Sequence, residues 1–211
     1  MTRKTTYLIG ELIILFVLMP FLLALDIHPI FKIIPILLAI IYCIYISIKQ
    51  KLITLKSLYF ITIKEHSKRI LTLFLITIIF SSLIMYFLNN ENLFIVLKKN
   101  WVMWITVSLF YSIFSVYPQE FLYRTFFFNR YHPILKNVSV LIIVNALIFS
   151  FAHIAFHNML VSVLTLVGGF LFAFTYHKSK SLLLTSIEHA LYGSWLFTLG
   201  MGEMLAFPVP S

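Results

Sequence analysis

The sequence predicts an all-α polytopic membrane protein, a bundle of about seven transmembrane helices. Of its 211 residues, 61% are hydrophobic and only 11% are charged, and the mean hydropathy is +1.00. A soluble domain of this length cannot bury so much apolar surface in one core. Cys43 is the only cysteine, which excludes an intrachain disulfide and any multi-cysteine metal site.

Seven segments have the length and composition of membrane-spanning helices, which need about 20 mostly apolar residues. They are residues 7–25, 31–48, 70–88, 101–130, 137–156, 159–176 and 181–200. The fourth segment would be about 45 Å long as a helix, which exceeds a hydrocarbon layer of about 30 Å. We therefore expect it to be tilted, or kinked at Pro118.

A basic segment, residues 49–69, separates the second and third spans. Its basic residues are Lys49, Lys51, Lys56, Lys64, Lys68 and Arg69. Because apolar residues alternate with them, we expect an amphipathic interfacial helix that binds anionic lipid headgroups, and no nucleic-acid partner. The chain then divides into an N-terminal region of three spans (1–100), a core of four spans (101–200) and a short tail (201–211).

The distribution of basic residues predicts the orientation, since cytoplasmic loops carry more Lys and Arg. With the N-terminus in the cytoplasm, the outer loops hold only Lys32, Lys98 and Lys99. The cytoplasmic side then holds the six basic residues of segment 49–69 together with Arg3, Lys4, Arg130, Lys136, Lys178 and Lys180. The expected location is the inner (plasma) membrane of a bacterium.

Ionisable side chains within the spans indicate where chemistry is expected, because charges at membrane depth are costly and usually functional. They are Glu11, Glu120, Arg124, His153, Glu188 and His189. Glu11 lies near the cytoplasmic end of the first span and is expected to reach the headgroup region. The other five follow residue 118, so the C-terminal half is the candidate site.

Three of the spans carry these groups. Glu120 and Arg124 are four residues apart, so they share a helix face and can form an ion pair, which is either structural or part of a site. His153 is expected deep in the fifth span. Side chains of the neighbours Glu188 and His189 point about 100° apart, so Glu188 is expected to contact another helix or water.

Antiparallel spans can bring Glu120, His153 and His189 together in one pocket in the middle of the bilayer. A buried carboxylate there can activate water, while imidazoles polarise a carbonyl and stabilise an oxyanion, which is the chemistry of peptide hydrolysis. Asp26 is the only aspartate, so an aspartyl dyad is excluded. The H-E-x-x-H signature of zinc proteases and a G-x-S-G serine motif are also absent from the sequence.

The polar residues form three motifs in a fixed order. These are Gln119-Glu120-x-x-x-Arg124, Phe149-x-x-x-His153 and His189-x-x-x-Gly193. Their order and spacing resemble the CPBP family of intramembrane proteases, which includes CAAX prenyl proteases and bacteriocin-processing (Abi) proteins. The pattern of that family is E-E-x-x-x-R, F-x-x-x-H and H-x-x-x-N. The resemblance covers roughly residues 101–200.

The resemblance implies a glutamate-dependent intramembrane endopeptidase that cleaves a membrane-associated protein or peptide without a cofactor. It implies that Glu120 and His153 activate water, that Arg124 holds Glu120, and that His189 donates to the oxyanion. Zinc bound by His153, His157 and Glu120 is the alternative, since histidines four residues apart on a helix face one way.

Two positions depart from the family pattern. Gln119 replaces the first acid and cannot accept a proton at neutral pH, and Gly193 replaces the closing asparagine. Glu120 can act as the base while Gln119 binds the carbonyl or the water and Glu188 or Ser194 compensates. Alternatively, the site is no longer catalytic and the protein is a membrane-embedded binding or regulatory protein. A small transporter is a third possibility.

Overall fold

The computed structural model describes residues 2–28, 30–53, 63–89, 91 and 93–202. All regular secondary structure in these ranges is helical. The helices are α1 (Arg3–Ala24), α2 (Ile30–Lys49), α3 (Ile63–Asn89), α4 (Ile95–Lys99), α5 (Trp101–Tyr131), α6 (Val138–Phe151), α7 (Met159–Ser179) and α8 (Leu182–Thr198). The predicted all-α polytopic bundle is confirmed.

Six helical segments in the described ranges are long and apolar enough to cross a membrane. They are α1, α2, α5, α7, residues 65–87 of α3, and α6 with the turn that follows it to Phe156. Helix α8 corresponds to the seventh predicted span, but it has 17 residues and includes Glu188 and His189. A count of seven spans therefore stays a prediction, as does the division of the chain at residue 100.

The basic segment differs from the expected interfacial helix. Helix α3 begins at Ile63 rather than near residue 70, so residues 63–69 are its first turns. Residues 54–62, the middle of the expected interfacial helix, lie outside the described ranges. Arg69 contacts the bundle rather than headgroups alone, since its Nη2 lies 3.2 Å from Oε1 of Glu188 on α8.

Helix α5 is widened on both sides of the Gln119-Glu120 motif. Turns of π-helix span Tyr111–Val116 and Phe121–Phe126, and an α-helical turn, Tyr117–Glu120, separates them. Pro118 has no N–H for the carbonyl one turn earlier, and the wider turns provide hydrogen bonds such as Tyr117 N–H to the Ser112 carbonyl. The expected distortion at Pro118 thus takes the form of π-helical turns.

Helix α1 packs against the C-terminal half through Phe16, which is 2% exposed. The Phe16 ring makes edge contacts with the rings of Tyr123 and Phe127 on α5, at centroid distances of 5.3 and 5.4 Å. Buried aromatic pairs of this geometry stabilise by about 0.5–1.5 kcal/mol beyond their area. The first span is therefore fixed against the helix that carries Glu120.

Glu11 on α1 is buried inside the bundle, whereas its side chain was expected to extend to the headgroup region. It is 7% exposed, and its two carboxylate oxygens accept hydrogen bonds from Nε and Nη2 of Arg130, both at 2.8 Å. Because Arg130 lies on α5 and is itself buried, the charge is compensated inside the bundle. This pairing was not predicted because the sequence does not show which residues of another helix face Glu11.

Helices α6 and α7 pack closely and position the second motif. Each is capped at its N-terminus by an asparagine side chain, Asn137 and Asn158, that accepts backbone N–H groups of the first turn. At Gly169, an added Cβ would lie 3.0 Å from Cα of Ala146. The absence of a side chain at this position therefore permits the close approach of the two helices.

Candidate active site

Glu120 and Arg124 form a fully buried ion pair on α5. Glu120 Oε2 lies 3.2 Å from Nε of Arg124, and both side chains are 0% exposed. Arg124 Nη1 donates to Asn145 on α6 at 2.5 Å, and its guanidinium carbon lies 4.6 Å from the centroid of the Phe149 ring. The pair is thus fixed from two sides, by an amide and by an aromatic face.

His189 connects this ion pair to the neighbouring helices. Its Nδ1 lies 2.8 Å from Oε1 of Glu120, and its Nε2 lies 3.1 Å from the hydroxyl of Tyr111. Because a carboxylate only accepts, Nδ1–H of His189 is the donor to Glu120. The ring also stacks on Phe172, with centroids 4.5 Å apart and planes inclined by 19°. These contacts fix the orientation of the imidazole.

His153 lies just beyond the end of α6, not deep in a helix as expected. Helix α6 ends at Phe151, and a short 3-10 turn follows at Ile154–Phe156. His153 Nδ1 lies 2.7 Å from the carbonyl oxygen of Phe149. The carbonyl only accepts, so Nδ1 carries the proton, and the other nitrogen, Nε2, is the acceptor of the neutral ring.

The helix end also separates His153 from His157. His157 has a φ of 49°, follows the 3-10 turn and is exposed. The two histidines therefore do not share a helix face, contrary to the expectation behind the zinc alternative. No group of three His, Cys, Asp or Glu side chains in the described ranges is placed to hold a metal ion.

A cavity of about 510 Å³ adjoins these residues. His153, His189, Gln119 and Tyr111 line it, and much of its remaining wall is apolar and comes from α1 and α2. Glu120 does not line it. Consecutive helical residues point about 100° apart, so Gln119 faces the cavity while Glu120 faces the protein interior, where it contacts His189.

Tyr111 was not identified from the sequence, although a signal for it exists. Tyr111, Ser115 and Gln119 are spaced four residues apart on α5, and all three line the cavity. Gln119 Nε2 donates to Ser115 Oγ at 2.8 Å. A row of polar residues at helical spacing on an apolar span indicates a face that avoids lipid.

The two groups expected to compensate for Gln119 and Gly193 lie elsewhere. Glu188 is fully buried and pairs with Arg69, which also donates to Thr175 on α7. This contact confirms that Glu188 binds another helix. Gly193 lines the cavity. Glu188 and Ser194 are not among the described residues that line it.

The family model described as type II CAAX prenyl endopeptidase Rce1-like matches residues 100–195. No curated protein and no solved structure matches the chain. The matched residues include all three motifs, and with them Arg124 and His189, which pair with Glu120. The resemblance to the CPBP proteases is therefore confirmed: residues 100–195 of this integral membrane protein match the model of the Rce1-like protease family.

Proposed function

We propose that this protein is a glutamate-dependent intramembrane endopeptidase that hydrolyses a membrane-associated protein or peptide. The observation that carries the proposal is the 2.8 Å contact between Glu120 and His189, at a cavity that His153 also lines. A carboxylate behind an imidazole fixes its tautomer and orientation, so that a defined nitrogen serves the reaction.

His153 is the general base in this proposal. Its Nε2 accepts a proton from water, and the water oxygen bonds to the scissile carbonyl carbon, whose π electrons move to the carbonyl oxygen. When the tetrahedral intermediate collapses, the C–N bond breaks and His153 returns the proton to the leaving amine. The reaction consumes one water and one peptide bond, and the proton that His153 accepts is returned, so no further reactant is needed.

Glu120, Arg124 and His189 supply a positive environment for the oxyanion. With His189 doubly protonated, the three formal charges (−1, +1 and +1) sum to +1, which complements the negative charge of the intermediate. His189 then donates one N–H to Glu120 and directs the other, on Nε2, toward Tyr111 and the cavity. Glu120 thus acts through His189, as a positioning residue.

Gln119 has a different role from the acid of the family pattern. Its amide lines the cavity and can bind the substrate carbonyl or the attacking water, but it cannot take a proton. This is why the base is assigned to His153. Glu120 is 0% exposed and does not line the cavity, which argues against direct contact between its carboxylate and water.

The apolar wall of the cavity favours a substrate segment with an apolar side chain or a lipid group. Leu15 and Met19 on α1 and Ile36 and Ile40 on α2 contribute to this wall. The matching family model is described as a type II CAAX prenyl endopeptidase, so a prenylated peptide with a CAAX end is the first probe to test. We retain the bacterial inner membrane, with the N-terminus in the cytoplasm, as the proposed setting.

The test uses the full-length protein in liposomes and three quenched fluorescent peptides. One ends in a farnesylated Cys followed by two aliphatic residues and a final residue, the second is its unprenylated counterpart, and the third is an apolar tail-anchor sequence. At least one should be cut, and His153→Ala should lower kcat by about 10²–10⁴-fold, as loss of a general base does. His132→Ala, at an exposed histidine that does not line the cavity, is the matched control and should match wild type.

Two outcomes would count against this function. Cleavage at the wild-type rate by both His153→Ala and Glu120→Gln would place the chemistry elsewhere. Binding of a peptide with no cleavage of any of the three would support the regulatory alternative instead. A chelator such as 1,10-phenanthroline should leave the rate unchanged, and inhibition reversed by zinc would return the metal alternative.

A further inference from the structure

The Tyr111 side chain occupies the space beside Gly193. A Cβ added to Gly193 would overlap the Tyr111 hydroxyl oxygen and would lie 2.5 Å from two of the ring carbons. Real Cβ atoms do not approach other atoms so closely, so any side chain at position 193 would displace Tyr111. The Tyr111 side chain can therefore occupy this position only because residue 193 is a glycine.

This position places the Tyr111 hydroxyl in the candidate site. It lies 3.1 Å from His189 Nε2, and Tyr111, Gly193 and His189 all line the cavity. A tyrosine hydroxyl is un-ionised at neutral pH and both donates and accepts. When His189 donates through Nε2, the hydroxyl can accept that bond and direct its own O–H toward a ligand in the cavity.

We propose that Tyr111 is a further catalytic residue, whose hydroxyl donates a hydrogen bond to the oxyanion of the tetrahedral intermediate. The inference rests on the proposed peptidase function and adds a donor to it. His189 lies behind the hydroxyl and polarises it when Nε2 donates to the hydroxyl oxygen. A hydroxyl donor needs no new charge in the cavity, whose wall is mostly apolar.

The first test is Tyr111→Phe, which retains the ring and removes only the hydroxyl. We expect kcat to fall by about 10²-fold or more, as with loss of one oxyanion donor, while KM stays within about twofold. Tyr176→Phe is the control because Tyr176 is also buried, hydrogen-bonds to Asn129 and does not line the cavity. Its kcat should equal that of wild type.

Gly193→Ala tests the same contact from the other side. Its methyl group must displace Tyr111, so the variant should lose as much activity as Tyr111→Phe. Because both changes remove one interaction, the double variant Tyr111→Phe/Gly193→Ala should be no worse than either single variant. Multiplicative losses would show that Gly193 and Tyr111 act independently and would overturn the coupling.

Binding of two uncleavable peptides separates a catalytic from a structural role. One carries a phosphinate, a tetrahedral anion, at the scissile position, and the other carries a reduced amide with no oxyanion. Tyr111→Phe should weaken phosphinate binding by the same factor as kcat and leave reduced-amide binding unchanged. Equal loss for both ligands, or for neither, would overturn the inference.

Different results would count against the role of Tyr111 and against the proposed peptidase function. If Tyr111→Phe cuts and binds phosphinate like wild type while His153→Ala is inactive, the peptidase stands and Tyr111 is not its oxyanion donor. If wild type cuts none of the peptides, the peptidase proposal fails. Phosphinate binding then still tests the Tyr111 contact, and equal binding by wild type and Tyr111→Phe would reject it.

Discussion

Among the described residues, two glutamate–arginine pairs have both partners buried, and they share their chemistry but not their surroundings. Glu11 on α1 pairs with Arg130 at 2.8 Å, and Glu120 pairs with Arg124 at 3.2 Å. All four residues are buried, with exposed fractions of 7% or less. Burial and charge alone therefore do not distinguish a structural pair from a pair proposed to act in catalysis.

The difference lies in the remaining contacts of each carboxylate. The oxygens of Glu11 also accept hydrogen bonds from the hydroxyls of Tyr42 and Tyr131, and Arg130 also donates to Gln50. These residues tie α1 and α2 to α5, and none of them lines the cavity.

Glu120 instead has one oxygen on His189, whose ring lines the cavity. At Glu120, an imidazole lies between the carboxylate and the cavity, which supports a role in chemistry. The described residues around Glu11 supply only hydroxyl and guanidinium partners, which supports a structural role for that pair. This contrast can be tested by variants that change one pair at a time.

The largest expected effect comes from Glu120→Gln. The amide cannot supply the negative charge that orients His189, so kcat per folded molecule should fall by about 10³-fold or more, the upper range for loss of one electrostatic group in an active site. Folded molecules are counted by titration with the reduced-amide peptide, which carries no oxyanion. A kcat within tenfold of wild type would mean that Glu120 is a structural residue like Glu11.

Glu11→Gln should affect stability instead of catalysis. It leaves the buried Arg130 without its counter-charge, and breaking a buried pair in this way costs about 3–5 kcal/mol. We expect a lower midpoint of thermal unfolding in detergent and a kcat per folded molecule within about twofold of wild type. A large loss of kcat in molecules that remain folded would assign Glu11 to the site.

Apolar replacement of both partners sharpens the contrast. A buried ion pair can often be exchanged for apolar residues with little cost, so Glu11→Leu/Arg130→Met should recover most of the stability lost in Glu11→Gln and remain active. Glu120→Leu/Arg124→Met should recover stability relative to Glu120→Gln but remain inactive. The unfolding midpoint and the cleavage rate of the four variants are the measurements, and activity of the second double variant would contradict the proposal.

The same two pairs show how much of the molecule the sequence could predict. Apolar length and charge placement predicted the helical bundle, because lipid requires such segments whatever their partners are. The four-residue spacing of Glu120 and Arg124 predicted their pairing, which is local. The partner of Glu11 was not predicted, because Arg130 is 119 residues away and only the packing of α1 on α5 brings the two together.

Within the site, what could be predicted from the sequence was also limited for physical reasons. The end of α6 at Phe151 is marked by no Gly or Pro, so His153 and His157 were wrongly expected on one helix face. The order of Gln119 and Glu120 in the sequence does not show which of them faces the cavity. Tyr111 became a candidate only through its contact with His189 and the space at Gly193.

The smallest expected effect is that of Gln119→Glu. A carboxylate at this position would face the cavity and could share the water proton with His153, and Ser115 could donate to it in place of accepting from the amide. It would also lie next to Glu120, and the repulsion between two nearby carboxylates offsets part of the gain. We therefore expect kcat to rise by less than about tenfold in the same cleavage assay, which corresponds to about 1.4 kcal/mol. A rise of 10³-fold would instead show that the chain with Gln119 is a degenerate protease, because the missing base would then have been the carboxylate at position 119 and not His153.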